Sequence, residues 1–186
     1  AAGNAATTLN VSSFEVDTMP PLLTSVRISS DNTDSTQAKL GDTITLDFTA
    51  DGAITNVSVN ILGRVAAVVN TSGNIWQATL VTNGTDTEGN IAFMIDFDEV
   101  SPANMGVQVS TVTDSSAVNF DRTTPTIAEV TPVTDPIADD TPNYTFSADE
   151  VGVITYGGDC SSVTTSTIAA NNTVTMSSLA DGTHSN

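Results

Sequence analysis

Apolar and polar residues alternate in short runs along most of this chain. In Thr43-Ile44-Thr45-Leu46-Asp47-Phe48 the apolar side chains Ile44, Leu46 and Phe48 fall on one face and the polar ones on the other, the two-residue period of a half-buried strand. Asn56 to Ile61 and Ile91 to Phe97 repeat the arrangement, and Ile75 to Val81 and Val107 to Val112 supply further strands. Turn-forming residues separate the runs: Gly41-Asp42, Asp51-Gly52, Ser72-Gly73-Asn74, Asn83-Gly84 and Glu88-Gly89-Asn90. No stretch sustains apolar residues at spacings of three and four, so helices are not expected. About seven short strands at this spacing predict an all-β fold built as an antiparallel sandwich.

The chain also repeats itself. Asp17, Pro21, Leu23 and Val26 recur as Asp121, Pro125, Ile127 and Val130, an offset of 104 residues. Further along, Asp42, Leu46, Phe48, Ala50 and Asp51 recur as Asp140, Tyr144, Phe146, Ala148 and Asp149, an offset of 98. The first copy therefore carries about six more residues in its first hairpin region, and a period near 100 residues is the size of one immunoglobulin-like sandwich.

The strings Val16-Asp17-Thr18-Met19-Pro20-Pro21, Phe120-Asp121-Arg122-Thr123-Thr124-Pro125 and Lys39-Leu40-Gly41-Asp42-Thr43-Ile44-Thr45-Leu46 resemble bacterial Ig-like repeats. The resemblance spans essentially the whole chain. It implies tandem immunoglobulin-like sandwiches of a large bacterial surface protein or adhesin, with an extracellular location.

On this reading residues 1–17 form the final strand of a preceding repeat, 18–121 one full sandwich, and 122–186 a second sandwich short of its last two strands. Two accounts of these bounds stand side by side. The chain is a piece of a longer array, or residues 1–17 of one molecule complete the 122–186 unit of another by strand addition, which would propagate as a filament. Neighbouring repeats or identical chains are the partners either way. Cys160 has no second cysteine in the chain. The resemblance implies a bridge to a cysteine at the strand that would begin just after Asn186. A free thiol acting as a small buried hydrophobe is the other reading.

Charge narrows the function. Four Lys+Arg against 22 Asp+Glu give a formal net charge of −18, which repels phosphate backbones and anionic lipid. Nucleic acid is not an expected partner, and no apolar run is long enough for membrane insertion by a helix. With one His and one Cys, the usual nucleophile–base arrangements are out of reach, and an enzyme is not expected.

The carboxylates themselves suggest one further role. In an Ig-like sandwich the N-terminus shares an end with two of the loops, which brings Asp17, Asp51, Asp98 and Glu99 together in the first copy and Asp121, Asp149 and Glu150 in the second. Asp86 and Glu88 of a preceding unit would face such a junction. Carboxylates crowded there repel one another unless a cation sits among them, and Ca²⁺ suits a loose oxygen site. Asp and Asn also favour turns for their own hydrogen-bonding reasons, which leaves a solvated acidic surface as the alternative. Trp76 reads as a half-buried strand residue or a sugar-stacking platform, and nothing is assigned to His184.

Together these features point to a structural or adhesive spacer, stalk-like and calcium-stiffened. A filament subunit assembled by strand complementation is the first alternative, a carbohydrate-binding module the second.

Overall fold

A computed structural model describes residues 15–184. Every regular element among them is a β-strand, and the chain divides into two compact units, Ala1–Arg122 and Thr123–Asn186. Residues 1–14, on which most of the donor-strand expectation falls, lie outside the described residues.

The first unit holds β1 (Leu23–Ser30), β2 (Gln37–Ala38), β3 (Thr43–Ala50), β4 (Ile54–Ile61), β5 (Arg64–Val65), β6 (Ala67–Ser72), β7 (Ile75–Val81), β8 (Gly89–Asn90), β9 (Phe93–Glu99) and β10 (Asn119–Phe120). One sheet runs β1-β3-β7-β6 and another β5-β4-β9. That is the strand arrangement of an immunoglobulin-type sandwich. The alternation in β3 decides its place: Ile44, Leu46, Phe48 and Ala50 are all buried while each intervening residue is partly exposed. Val59 and Ile61 from β4 and Phe93, Ile95 and Phe97 from β9 join them in one core. Each such side chain removed from water contributes about 1.5–3 kcal/mol.

Two local details depart from the simple strand pattern. The β4–β5 hairpin closes on Leu62-Gly63, both with positive φ (54° and 73°), the geometry of a tight two-residue turn. Leu62 accepts that backbone because its side chain packs on the core. Residues 107–112, expected as a strand, form none. They touch β9 through the single bridge Ile95–Val109, and a second bridge joins Asp98 to Met105. The physical reason is that left-handed backbone at Ala103 and Ser115 (φ 62° and 63°) bends this stretch out of regular pairing at both ends.

The second unit holds β11 (Ile127–Thr131), β12 (Asn143–Ala148), β13 (Gly152–Val153), β14 (Ser166–Thr167) and β15 (Asn171–Thr175). Its sheet β11-β12-β15 repeats β1-β3-β7: Leu23 pairs with Ala50 and Ile127 with Ala148, while the bulge in the first strand lies between Leu23 and Ser25 in one unit and between Glu129 and Thr131 in the other. The amide of Ala50 donates to Asn74 and that of Ala148 to Ala170, so the third strand repeats too. The core is small, with Phe146, Ala148 and Val174 buried and Tyr144, Ile154, Tyr156 and Met176 packed against them.

Candidate functional site

In the first unit the feature with functional content is the seam between its first and last segments. β1 uses one edge for β3. Along the other edge the Val26 amide donates to Thr113 Oγ1 (3.0 Å), the Thr113 amide donates back to the Val26 carbonyl (2.9 Å), and the Ile28 amide donates to Ser116 Oγ (2.9 Å). Two hydroxyls thus stand where a regular strand would offer carbonyls. Farther on, the Asn119 amide donates to Thr36 and the Asp121 amide to Ala38, both at 2.9 Å. Residues 26, 28, 36 and 38 meet 113, 116, 119 and 121 in ascending order, so the two segments run parallel, as the β2–β10 ladder does.

Side chains reinforce the seam. Asp114 Oδ1 accepts the Ser116 amide (3.0 Å) and Oδ2 lies 3.6 Å from Arg27 Nε. The Ser116 hydroxyl and amide, and then Arg27, hold the Asp114 carboxyl below its usual value. Phe120 is fully buried between Ala38 and Gly89, in the order β2-β10-β8. Arg122 fastens the exit: its amide reaches Glu88 Oε1 (3.1 Å) and its guanidinium donates to the Gly84 carbonyl. Gly106 lies so close to β9 that a Cβ there would stand 2.6 Å from the Phe97 carbonyl oxygen.

Of the carboxylates singled out as calcium ligands, those of Asp17, Asp51, Asp98, Glu99 and Asp149 accept hydrogen bonds from backbone or side-chain amides. Asp51 Oδ1 accepts the Leu22 amide (3.0 Å) and the Asp51 amide returns to the Leu22 carbonyl (2.9 Å). Asp149 does the same for Thr126, taking its amide (2.8 Å) and its hydroxyl, so each unit anchors the start of its first strand with a repeat-equivalent Asp. The Thr126 hydroxyl and amide hold the Asp149 carboxyl below its usual value. Asp98 Oδ2 accepts from Asn56 Nδ2 (2.9 Å). The Asp17 carboxylate accepts the Met19 amide (2.9 Å), and the Asn104 side-chain amide ties Glu99 to the 17–19 backbone, donating to Glu99 Oε2 (3.0 Å), the Met19 carbonyl (3.1 Å) and the Asp17 carbonyl (3.4 Å). Asp121 uses its amide in the seam, and the Glu150 carbonyl accepts from Thr167 Oγ1 (3.2 Å). Among the described residues no three His, Cys, Asp or Glu side chains gather where they could hold a metal ion.

Asp86 has a role the sequence reading missed. It is buried and accepts both Nε (2.8 Å) and Nη2 (2.7 Å) of Arg64. The Asn83 amide (2.7 Å) adds a third donor. The missed signal was Arg64 itself, one of only four basic residues, placed directly after a Leu-Gly turn. Trp76 is half-buried against the core with its indole nitrogen buried, and Cys160 is a half-buried free thiol. No protein-family model matches the chain, and no curated protein matches it either.

Proposed function

We propose that this chain is a structural module of a bacterial extracellular or cell-surface protein, an Ig-like repeat that acts as a spacer or stalk. The observation that carries the reading is the parallel seam of the first unit. The chain passes into β1 at Leu23 and leaves the unit at Arg122. Opposite pulls at those two points slide the segments past each other, so the bonds of Val26, Ile28, Asn119 and Asp121 are loaded together instead of one after another. Each is worth only about 1 kcal/mol at equilibrium, but simultaneous rupture raises the barrier that governs forced unfolding.

Single-molecule pulling between handles at Asp17 and Arg122 tests this. The expected result is a distinct unfolding peak that weakens when Thr113→Val and Ser116→Ala remove the two hydroxyls. A first unit that extends without resistance, or a peak unmoved by the double substitution, overturns the reading. Calcium stiffening belongs to the same proposal and is supported by the net charge of −18. A melting midpoint higher in calcium than in EDTA supports it, and an unchanged midpoint removes calcium from the account.

A further inference from the structure

Asn83-Gly84 is the one Asn-Gly pair in the chain. It lies in the loop between β7 and β8, where Asn83 is half-buried and Gly84 and Thr85 are exposed. The fold supplies no reason for a glycine at 84. Its φ lies outside the left-handed region, and a Cβ there would meet nothing within 4 Å. What glycine does offer is a main-chain nitrogen with no side chain beside it. Among the described residues the Gly84 amide has no hydrogen-bond acceptor, whereas the amides of Thr82, Asn83, Thr85 and Asp86 are all engaged.

The Asn83 side chain is held as an electrophile. Its Oδ1 accepts both the Thr85 amide (2.8 Å) and the Thr85 hydroxyl (2.7 Å). Two donors on one carbonyl oxygen draw electron density from Cγ and stabilise the negative charge that forms on Oδ1 when a nucleophile adds. The Asn83 amide donates to Asp86 Oδ2 (2.7 Å) and the Asn83 carbonyl accepts the Asp86 amide (3.2 Å), which fixes the main chain of the pair. Nucleophile and electrophile belong to adjacent residues, so the reaction needs no encounter step.

We propose that Asn83-Gly84 is a self-modification site, at which the Gly84 nitrogen displaces ammonia from the Asn83 side chain and the product weakens the first unit. The Gly84 N–H proton passes to a solvent base as the nitrogen bonds to Cγ. The bond from Cγ to Nδ2 breaks, and Nδ2 takes a proton from water and leaves as ammonia. Water then adds to one or the other carbonyl of the five-membered imide and opens it to aspartate or isoaspartate. One water is consumed and one ammonia released, with no other reactant. The consequence follows from what the loop holds. Asp86 is buried and carries the Arg64 guanidinium, and the Gly84 carbonyl accepts from the Arg122 guanidinium. Aspartate at 83 adds a negative charge in the turn that holds Asp86, and isoaspartate lengthens the main chain by one carbon and displaces Gly84. Both loosen the contacts of Arg64 and Arg122. This one-way clock goes beyond the spacer reading and stands whether or not that reading holds.

Incubating the folded chain for weeks at neutral and at mildly alkaline pH tests it, with cleavage after Arg64 and Arg122 and mass spectrometry of the 65–122 peptide. Asn83 is expected to gain the mass difference between amide and acid ahead of Asn70, Asn74, Asn90, Asn104 and Asn119, and faster at the higher pH. Gly84→Ala, which the backbone and the open space around it accept, lowers the rate about tenfold, the effect of about 1.4 kcal/mol on the barrier. Thr85→Val removes the hydroxyl donor and lowers it several-fold. Melts followed by Trp76 fluorescence show that each fresh variant is folded. The aged unaltered chain melts below the fresh one, and aged Gly84→Ala does not. Conversion at Asn83 no faster than at the other asparagines overturns the proposal. So does a rate that Gly84→Ala or Thr85→Val leaves unchanged, or a converted chain that melts with the fresh one.

Discussion

Val26 and Val130 occupy the same place in the repeat, yet Val26 is 1% exposed and Val130 is 45% exposed. Each strand pairs with the repeat-equivalent partner, and both partners bury a Phe at the same position, Phe48 and Phe146, but Val26 pairs with Phe48 whereas a bulge at Val130 sets Glu129 against Phe146. The bulge turns Val130 out of the pairing, and the cover differs as well. Beside Val26 lies the 113–121 segment, and across the core lie Ile95 and Phe97 of β9. All five residues of β11 are exposed, and no described residue stands in the place of β10. Two similar sheets therefore have different cores: in the first unit Val26 is paired and covered by the 113–121 segment, and in the second Val130 is bulged and exposed.

The chain offers a direct way to examine the units separately. Its single tryptophan, Trp76, reports on the first unit, and both tyrosines, Tyr144 and Tyr156, lie in the second. The largest expected effect is from Phe120→Ala, which makes the first unit resemble the second. Denaturant unfolding followed by Trp76 fluorescence is expected to show a loss of about 3–5 kcal/mol, with tyrosine emission unaffected. Next is Arg64→Met, which leaves Asp86 buried without its guanidinium. A loss of about 3 kcal/mol in the same assay is expected, and replacing both residues by apolar ones recovers part of it.

Smaller effects sharpen the same contrast. Gly106→Ala forces the 105–109 stretch away from the Phe97 carbonyl, and a loss of about 1–3 kcal/mol in the tryptophan-detected transition is expected. The smallest concerns Asp42, whose carboxylate accepts the Lys39 amide (2.9 Å) and Asn32 Nδ2 (2.6 Å). These bonds, the Lys39 amide first, hold its carboxyl below the ordinary value of 3.8. The unfolded chain then binds the proton more readily than the folded one, so the contribution is present above that value and lost as pH falls through the folded one. In pH-dependent melts the advantage of the unaltered chain over Asp42→Asn is expected at pH 7. It closes progressively below about pH 4.

Much of this was readable before any coordinates. The alternation of β3 specified its buried face because the period of a strand leaves no other choice. The offsets of 104 and 98 marked equivalent residues on either side of a connection that differs in length by about six residues, and those residues, Leu23 with Ala50 and Ile127 with Ala148, are paired in both units. The seam was not readable in the same way. Thr113 and Ser116 act through hydroxyls on amides 87 and 88 residues away, and neither hydrophobic period nor turn residues encode that. The Leu62-Gly63 turn lacked the usual Asn-Gly signal because packing of the leucine side chain, not local preference, holds the backbone there. Asp51 and Asp149 hold the first strand of each unit, a task that looks identical in sequence to a place in a cation site.

The central claim is that residues 113–121 seal the first unit against its own first strand. Residue-resolved native-state hydrogen exchange tests it most directly. The account expects the amides of Val26, Ile28, Thr113, Asn119 and Asp121 to exchange only through global unfolding of that unit, as slowly as those of β3. Exchange of Thr113, Asn119 and Asp121 at the rate of an open loop, while β3 stays protected, would contradict it.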